Sequence, residues 1–275
     1  MDDQNKYQLQ TKIGEGAFGS VFIGLNQQTQ TKVVIKVIKK EILKTSTQKK
    51  AVKREISIPK FLGEHKNIIR LIESISTPTQ ILIVSEYLEG SQSLHKIEKS
   101  RLDLTIPQNF NNLLEMMLQL VNGLNYMHSK NVVHRDIKPH NIIFKGNRPI
   151  FIDFEKSSIV TSTQFPCLKG FHGTPNYISP EGWRETVIDY YASDIYSLGV
   201  VFYFLCNKKK LPYGDVNDIH SLKKMVLNTD PIASQSGFQI LDDLIMNLIS
   251  KNPHNRSNLL TIKQTFESLC GPTPF

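Results

Sequence analysis

The chain contains little cysteine and no closely spaced cysteine pair. Its 275 residues include three cysteines, Cys167, Cys206 and Cys270, which lie far apart. A sparse and odd set of this kind argues against a disulfide framework and against a cysteine-based zinc site. The composition therefore favours a reducing compartment, and we expect an intracellular protein of the cytoplasm or the nucleus.

Long apolar runs are also missing. The longest run, Ser197–Cys206, has about half the length that a membrane span requires, so it predicts a buried core helix. No opening segment combines a basic start with a long apolar stretch, which argues against a secretory signal. We therefore expect no membrane association.

The sequence shows no internal repeat, low-complexity tract or long linker. With 40% hydrophobic and 21% charged residues, it has the composition of a globular protein, and its length suits one large or two-lobed domain. The net charge of +8 comes partly from the lysine runs at 36–40 and 207–210. Because aromatic residues do not interleave these runs, they indicate a solvated face, and no nucleic-acid binding is predicted.

Secondary-structure signals change along the chain. Segments rich in valine and isoleucine predict strands near the front, and the lysine-rich stretch 41–61 among them predicts a helix. From Pro107 onwards helical spacing dominates, most clearly over 109–129. The chain is thus predicted to be an α+β protein with a strand-rich front and a helix-rich back. The predicted strands are 7–13, 20–25, 32–38, 68–76 and 80–88.

A glycine-rich segment, Gly14-Glu15-Gly16-Ala17-Phe18-Gly19, follows the first predicted strand. A β-type run continues after it, so the segment closes a hairpin. Glycines without Cβ let the backbone approach phosphate oxygens and offer them N–H donors. A simple hairpin turn explains the same residues equally well, and the segment alone leaves both interpretations open.

Lys36 lies between valine and isoleucine residues in a predicted strand. A buried ammonium group is costly unless it meets an anion. Glu55, in the lysine-rich helical stretch, is the best candidate partner, with phosphate oxygens as further partners. The alternative is that Lys36 points to solvent on the alternating face of its strand.

The most informative segment is Val132–Phe144, which we call the 132–144 loop. Asp136, Lys138 and Asn141 lie close together in it, between apolar pairs that predict short strands, and Pro139 prevents a continuous helix. Phosphoryl transfer needs such a set: a carboxylate for a hydroxyl proton, a cation for the phosphate and an oxygen ligand for Mg²⁺. Asp153, further along the chain, can add a charged metal ligand.

Taken in order, these segments resemble the eukaryotic protein kinase family, serine/threonine type, over almost the entire chain. The resemblance implies a two-lobed fold, with a small strand-rich N-lobe containing one main helix at about 1–86, a hinge at about 86–91 and a larger helical C-lobe at about 92–275. The matching segments are GEGAFGSV, VVIK, Glu55, HRDIKPHN, IDF, GTPNYISPE, SDIYSLGVVF and Arg256.

The resemblance implies an ATP- and Mg²⁺-dependent enzyme that phosphorylates serine and threonine hydroxyls of protein substrates. Asp136 is implied as the catalytic base, with Lys138 near the γ-phosphate and Lys36, paired with Glu55, on the α- and β-phosphates. Asn141 and Asp153 are implied as the Mg²⁺ ligands. The implied ATP-binding residues are Ile13, Gly14, Gly16, Gly19, Val21, Val34, Lys36, Glu86, Leu88 and Ile143.

Other positions are implied as scaffold or as determinants of class. Glu181 and Arg256 match a structural ion pair, and Asp194 matches a buried carboxylate that braces the 132–144 loop. Lys138 and Thr174 fit serine/threonine specificity. Ser85 stands where the gatekeeper precedes the hinge.

Three departures from the family pattern raise expectations of their own. Glu155 replaces the glycine after Asp153-Phe154, which should restrict flipping of that segment. Pro59 falls inside the helix that carries Glu55 and is expected to kink or end it. Gly170 stands where many relatives carry a phosphorylated hydroxyl, so we expect activation without phosphorylation at that position. Arg135 is the residue that would bind such a phosphate.

Substrate preference and the competing classes follow from the same alignment. Arginine-directed relatives carry acidic residues near the hinge, in the 132–144 loop and in the core helix. The latter two positions hold His140 and Phe204, and Glu89 could fill the first. Most of the acidic set is thus missing, which together with the net charge of +8 favours acidic or neutral substrates. A pseudokinase that acts as a nucleotide-binding or interaction scaffold is the alternative, supported by Glu155 and Pro59. A lipid or small-molecule kinase is disfavoured by GTPNYISPE, and no oligomeric state is predicted.

Overall fold

A computed structural model describes residues 6–161, 173–185 and 189–270. Contacts divide the chain into two units, one of 1–90 with 153–155 and the other of 91–152 with 156–275. The proposed lobe and hinge boundaries stay a prediction. Gly170 lies outside the described residues.

The first unit contains a five-stranded antiparallel sheet in the order β1-β2-β3-β5-β4. All five predicted strands are present, although β4 begins later than 68 and β1 extends through the first two glycines of the glycine-rich segment. The β1–β2 connection is a hairpin, as predicted. The strands are β1 (Tyr7–Gly16), β2 (Gly19–Asn26), β3 (Thr31–Lys39), β4 (Leu71–Ser76) and β5 (Gln80–Glu86).

The main helix of this unit, α1 (Ser46–Leu62), begins later than the sequence predicted. Residues 40–42 form a separate short 3₁₀ turn. The start of α1 is fixed by a capping box, in which Thr45 accepts from the Gln48 backbone N–H and the Gln48 side chain accepts from the Thr45 N–H. Each side chain satisfies a donor that the helix leaves without a partner.

Pro59 lies inside α1 and does not end it, so the expectation that it ends the helix is wrong, whereas a kink at Pro59 stays a prediction. The helix continues to Leu62, and the Pro59 carbonyl accepts from the N–H of Gly63 at 3.0 Å. Proline removes the N–H that would bond the carbonyl four residues earlier. Because Pro59 occupies the last turn, this loss affects one carbonyl, that of Glu55, and the helix still continues to Leu62.

One apolar cluster joins the sheet to α1. Ile38 and Ile83 from the sheet pack with Val52 from the helix and with Leu43. Side chains two apart on a strand share a face, so Lys36 faces α1 beside Ile38. On the helix, Glu55 lies three residues after Val52 and therefore shares its face. Packing thus directs Lys36 and Glu55 towards each other.

The second unit is mainly helical. The strands β6 (Gln92–Ser93), β8 (Ile142–Lys145) and β9 (Arg148–Phe151) form one small sheet, and β7 (Val132–Val133) pairs with β10 (Ser158–Ile159). The 132–144 loop therefore runs from β7 into β8, as its apolar pairs predicted. The helices are α2 (Pro107–Ser129), α3 (Pro180–Arg184), α4 (Tyr190–Cys206), α5 (Ile219–Asn228), α6 (Gln239–Leu248) and α7 (Leu259–Cys270).

Helix α4 is the buried core helix that the apolar run predicted. Every residue of 197–206 is buried within it. Across the described ranges, no helix combines the length and apolar character needed to cross a bilayer.

The expected ion pair between Glu181 and Arg256 is present and buried. Two guanidinium nitrogens of Arg256 donate to the two carboxylate oxygens of Glu181 at 2.6 and 2.8 Å. Arg256 also donates to the carbonyls of Ala192 and Ser250. This arrangement ties the start of α3 to the start of α4 and to the segment before α7.

Truncation of this arginine should strongly destabilise the fold. Arg256→Ala leaves the Glu181 carboxylate buried without its partner, and we expect a loss of about 3–5 kcal/mol in the free energy of unfolding. Urea unfolding followed by circular dichroism measures it. Lys263→Ala, which removes an exposed pair with Glu267, is the control and should cost under about 0.5 kcal/mol. Equal losses in the two variants would contradict a structural role for the buried pair.

Candidate active site

Lys36 and Glu55 form an ion pair within the first unit. The Nζ of Lys36 lies 2.5 Å from Oε1 of Glu55, and the two side chains are 13% and 12% exposed. The alternative in which Lys36 points to solvent is therefore wrong. The sheet–helix packing that aligns the two side chains also removes them from water, so each stabilises the charge of the other.

Burial raises the pKa of Glu55 from an ordinary value of 4.5 to about 7. The charge of Lys36 and its hydrogen bond oppose this shift, whereas the carboxylates of Asp153 and Glu155 add to it. The second oxygen of Glu55, Oε2, is buried without a hydrogen-bond partner among the described residues. This corner of the first unit is therefore rich in negative charge, and a cation would stabilise it.

The glycine-rich hairpin leaves space beside the Lys36 ammonium. A Cβ at Gly16 would lie 3.3 Å from Cε and 3.6 Å from Nζ of Lys36. A Cβ at Gly19 would lie 2.1 Å from the carbonyl oxygen of Val37, closer than atoms can approach. None of Gly14, Gly16 and Gly19 has a positive φ. Gly16 and Gly19 therefore matter because they lack a Cβ, and not because of their backbone conformation.

The other residues implied for ATP in the first unit lie on β1, β2, β3 and the end of β5. Val21 is the cross-strand neighbour of Lys36, and Val34 is the neighbour of Ser85. Glu86 is fixed at both its backbone and side chain, since its N–H donates to the Arg70 carbonyl at 3.1 Å and its Oε1 accepts from the Arg70 N–H at 2.9 Å. Ile13 is exposed on β1 and Leu88 is half-buried after β5. Ile143, in the second unit, lies on β8 opposite Ile150.

The segment Asp153–Glu155 is held against α1. The Nε of Arg54 donates to the backbone carbonyl of Glu155 at 2.8 Å, and Oδ1 of Asp153 accepts from the Glu155 N–H at 3.3 Å. Positive φ occurs at Asp153, with a value of 66°, and not at Glu155. Aspartate tolerates this region better than most residues. Glutamate in place of glycine at 155 therefore introduces no backbone strain in this conformation.

In the second unit, Asp194 braces the 132–144 loop as expected. It is fully buried at the start of α4, and its two oxygens accept from the backbone N–H groups of His134 at 2.7 Å and Arg135 at 2.8 Å. The ring of His128 lies 3.1 Å from the same carboxylate. Arg135 has a φ of 66°, and the bonds from Asp194 hold the backbone in this uncommon conformation just before Asp136.

Asp136 is buried and surrounded by donors. Its Oδ1 accepts from the hydroxyl of Thr174 at 2.9 Å. Its Oδ2 lies 3.1 Å from the ammonium groups of both Lys138 and Lys156, and 3.2 Å from the amide nitrogen of Asn141. The side chains of Lys138 and Asn141 therefore converge on the carboxylate of Asp136. These are the three loop residues that the sequence singled out.

The pKa of Asp136 lies below its ordinary value. Burial acts to raise it, but the charges of Lys156 and Lys138 and the hydrogen bonds from Lys156 and Thr174 outweigh burial. Asp136 is thus an anion at neutral pH and can accept a hydrogen bond from a hydroxyl group. Asn141 also donates from Nδ2 to the Asp136 carbonyl at 2.9 Å, which leaves its side-chain oxygen as a possible metal ligand.

Sequence reasoning missed two residues of these arrangements, Lys156 and Arg54. Lys156 directly follows the segment that carries Asp153, and Arg54 directly precedes Glu55. A charged residue beside a recognised site residue is a weak signal, because most charges on a chain face solvent.

Arg135 already has partners within the second unit. Its guanidinium donates to the Ser158 hydroxyl at 3.0 Å and lies over the ring of Tyr190, 4.9 Å from the centroid. Cation–π contacts of this kind stabilise a guanidinium group without an anion. They are compatible with our expectation of activation without phosphorylation at 170, which stays a prediction.

A stack of aromatic rings includes His140 and Phe204, the two positions at which arginine-directed relatives carry acidic residues. His140 stacks on His95 with ring centroids 3.9 Å apart, and Phe204 lies 6.3 Å from His95. Burial lowers the pKa of both histidines, and the charges of Lys209 near His95 and of Lys138 near His140 lower it further. This surface offers no carboxylate to an arginine side chain at these positions.

A protein-family model described as a protein kinase domain matches residues 7–267. The chain belongs to the protein kinase family. Its fold is the two-lobed α+β kinase fold, with a five-stranded antiparallel sheet in the first unit. The convergence of Lys138, Thr174 and Asn141 on Asp136 is thus found within a chain that carries the family pattern over most of its length.

Curated relatives place the kinase in the serine/threonine class. It is 35% identical to a protein of Acanthamoeba polyphaga mimivirus named as a serine/threonine-protein kinase, over 94% of this chain and 93% of the relative. It is 29% identical to CBL-interacting protein kinase 26 of Oryza sativa subsp. japonica, over 96% of this chain. It is 35% identical to SNF1-like protein kinase ssp2 of Schizosaccharomyces pombe, over 76% of this chain. The alignments cover 53% and 35% of the plant and yeast relatives.

The raised pKa of Glu55 predicts a pH-dependent stability. A folded-state pKa of about 7 against 4.5 means that the folded kinase binds this proton more tightly than the unfolded chain. The stabilising contribution of protonated Glu55 is therefore complete below about pH 4.5 and lost as pH rises to about 7. The free energy of unfolding of the native chain, relative to Glu55→Gln, should fall across this window by at most about 1.4 kcal/mol per pH unit.

Urea unfolding of both proteins at a series of pH values tests this. Glu64→Gln, at an exposed carboxylate after α1, is the control and should follow the native pH profile. A difference between the native chain and Glu55→Gln that does not change between pH 4.5 and 7 would contradict the raised pKa.

Proposed function

We propose that this kinase transfers the γ-phosphoryl group of ATP to serine and threonine hydroxyls of protein substrates, with Asp136 as the catalytic base. The observation that carries the proposal is the buried Asp136 carboxylate, kept anionic and oriented by Lys138, Lys156, Asn141 and Thr174. The family and the serine/threonine class of the relatives support it.

Asp136 accepts a hydrogen bond from the substrate hydroxyl and orients its oxygen towards phosphorus. As the new O–P bond forms and the bond between the γ-phosphorus and the leaving oxygen of ADP breaks, Asp136 takes the hydroxyl proton. Lys138, 3.1 Å from Asp136 Oδ2 and 2.7 Å from the Thr174 hydroxyl, is already oriented as the cation for the transferred group. Such positioning and charge stabilisation account for most of phosphoryl-transfer catalysis.

Phosphate binding in the first unit is assigned to Lys36 and the glycine-rich hairpin. Glu55 holds the Lys36 ammonium in place, and the missing Cβ at Gly16 leaves room beside that ammonium. A side chain at Gly16 would fill this space. We assign the adenine to Ile13, Val21, Val34, Glu86, Leu88 and Ile143 from the family pattern.

Asn141 and Asp153 would hold Mg²⁺. The side-chain oxygen of Asn141 is left as a ligand because its amide nitrogen is bonded to Asp136, and Asp153 contributes to a region of negative charge that raises the pKa of Glu55. Oxygen donors of this kind suit Mg²⁺. When bound, the ion neutralises charge on the phosphate oxygens.

The pseudokinase alternative receives no support from the two residues that suggested it. Pro59 leaves α1 continuous to Leu62, and Glu155 lies outside the positive-φ region that would require glycine. An enzyme is therefore the better proposal.

Phosphate transfer to a mixed serine/threonine peptide library, measured with labelled ATP and Mg²⁺, tests this assignment. Asp136→Asn removes the base and should lower the rate of transfer by at least about 100-fold. Asp243→Asn makes the same chemical change at an exposed position of α6 and should leave the rate unchanged. Undiminished transfer in Asp136→Asn would contradict the assignment, and no transfer by the native chain would favour the pseudokinase.

A further inference from the structure

Lys156 places a second ammonium group on the catalytic carboxylate, whereas the function proposed above assigns only the first, Lys138, to the transferred phosphoryl group. Both Nζ atoms lie 3.1 Å from Oδ2 of Asp136. A single lysine already supplies the cation that the transferred phosphoryl group needs. The presence of Lys156 at the same oxygen therefore requires a separate explanation.

Lys156 is the least constrained of the donors around Asp136. Lys138 also donates to the Thr174 hydroxyl at 2.7 Å, and Asn141 also donates to the Asp136 carbonyl at 2.9 Å. Among the residues described in the structure, Asp136 is the one hydrogen-bonding partner of Lys156. The Lys156 side chain is also more exposed than that of Lys138, at 30% against 19%.

An incoming hydroxyl must find a free acceptor position on Asp136. The donors around Asp136 are unevenly shared, since Oδ1 accepts from Thr174 alone whereas Lys138, Lys156 and Asn141 all contact Oδ2. One carboxylate oxygen offers about two acceptor positions, so Oδ2 is crowded. Thr174 and Asn141 are held by further bonds, as is Lys138. A substrate hydroxyl that binds at the crowded Oδ2 therefore displaces Lys156 most easily.

The displaced ammonium group then needs another anion. Two lysines and one aspartate leave a net positive charge at this position, and the nearby His140 and His95 supply no negative charge. A partly buried ammonium without an anionic partner is unfavourable. An acidic side chain of the substrate, close to the target hydroxyl, would supply that partner.

We propose that Lys156 is a specificity-determining residue, which selects protein substrates that carry an acidic side chain directly beside the serine or threonine to be phosphorylated. This inference rests on the proposed function, because it names the substrate class of the same site. An arginine in that position would meet like charges on Lys156 and Lys138, which is unfavourable. The absence of acidic residues at His140 and Phe204, together with the net charge of +8, points in the same direction.

The test compares two serine peptides that differ only in aspartate or asparagine beside the serine. The native kinase should phosphorylate the acidic peptide with about fivefold higher kcat/KM. Lys156→Gln should reduce this ratio to about one, whatever common factor it removes from the rates with both peptides, and Lys156→Arg should keep most of the preference. Lys145→Gln, which removes an exposed lysine on β8, is the matched control and should behave as the native chain.

Binding of the same peptides with alanine in place of serine separates this inference from the proposed function. The acidic alanine peptide should bind the native chain more tightly than the neutral one, and Lys156→Gln should bind both equally, whether or not phosphate is transferred. An unchanged acidic preference in Lys156→Gln would overturn the proposal. An equal loss of kcat for both peptides would also overturn it, because it would assign Lys156 to the phosphoryl group instead.

Discussion

The candidate active site depends on one buried carboxylate that takes no part in the chemistry. Asp194, at the start of the buried helix α4, accepts from the backbone N–H groups of His134 and Arg135. These bonds hold Arg135 at a positive φ, which turns the chain so that Asp136 follows in a fixed direction. The carboxylate is removed from water and is stabilised by these charge-assisted hydrogen bonds. A short loop thereby acquires the rigidity that a catalytic residue needs.

A second constraint acts in the first unit, where packing aligns opposite charges. Strand β3 directs Ile38 and Lys36 to the same face, and α1 presents Val52 and Glu55 to it. The apolar contacts fix the distance between β3 and α1, and at this distance Lys36 and Glu55 form an ion pair. Asp153 and Glu155 add negative charge near Glu55, so this region is suited to a cation as well as to the phosphates that we assign to Lys36.

The surroundings of Asp136 connect structure with substrate choice. Lys138, Lys156 and Thr174 keep the carboxylate anionic. Lys138, Lys156 and Asn141 also crowd Oδ2, at which a substrate hydroxyl could bind. The donors differ in the number of other hydrogen bonds that hold them. Lys156, which bonds only Asp136 among the described residues, is the donor that can leave the carboxylate most easily. Under this proposal, selectivity for the substrate arises at the proposed catalytic base, Asp136, through the charge of the Lys156 group that is displaced.

Most of the fold was predictable from the sequence because its signals are local. The alternating apolar residues of β3 and the helical spacing of α2 were read correctly, and Glu55 was identified as the partner of Lys36. The start of α1 was misplaced, although Thr45 and Gln48 carry a capping-box pattern that could have located it. The contacts of Lys156 with Asp136 and of Arg54 with Glu155 were not predictable, since they join residues distant in sequence through side-chain geometry.

The most direct test of this account is amide hydrogen exchange, measured by NMR at His134 and Arg135 in the native kinase and in Asp194→Asn, together with the rate of phosphate transfer. The amide group of asparagine would turn an N–H towards one of the two backbone donors. Exchange at that amide should therefore rise by about tenfold or more, exchange at the other should rise less, and transfer should fall with them. Asp243→Asn should change neither quantity. Unchanged exchange at the two amides, with or without a loss of transfer, would contradict the claim that Asp194 holds the loop in place.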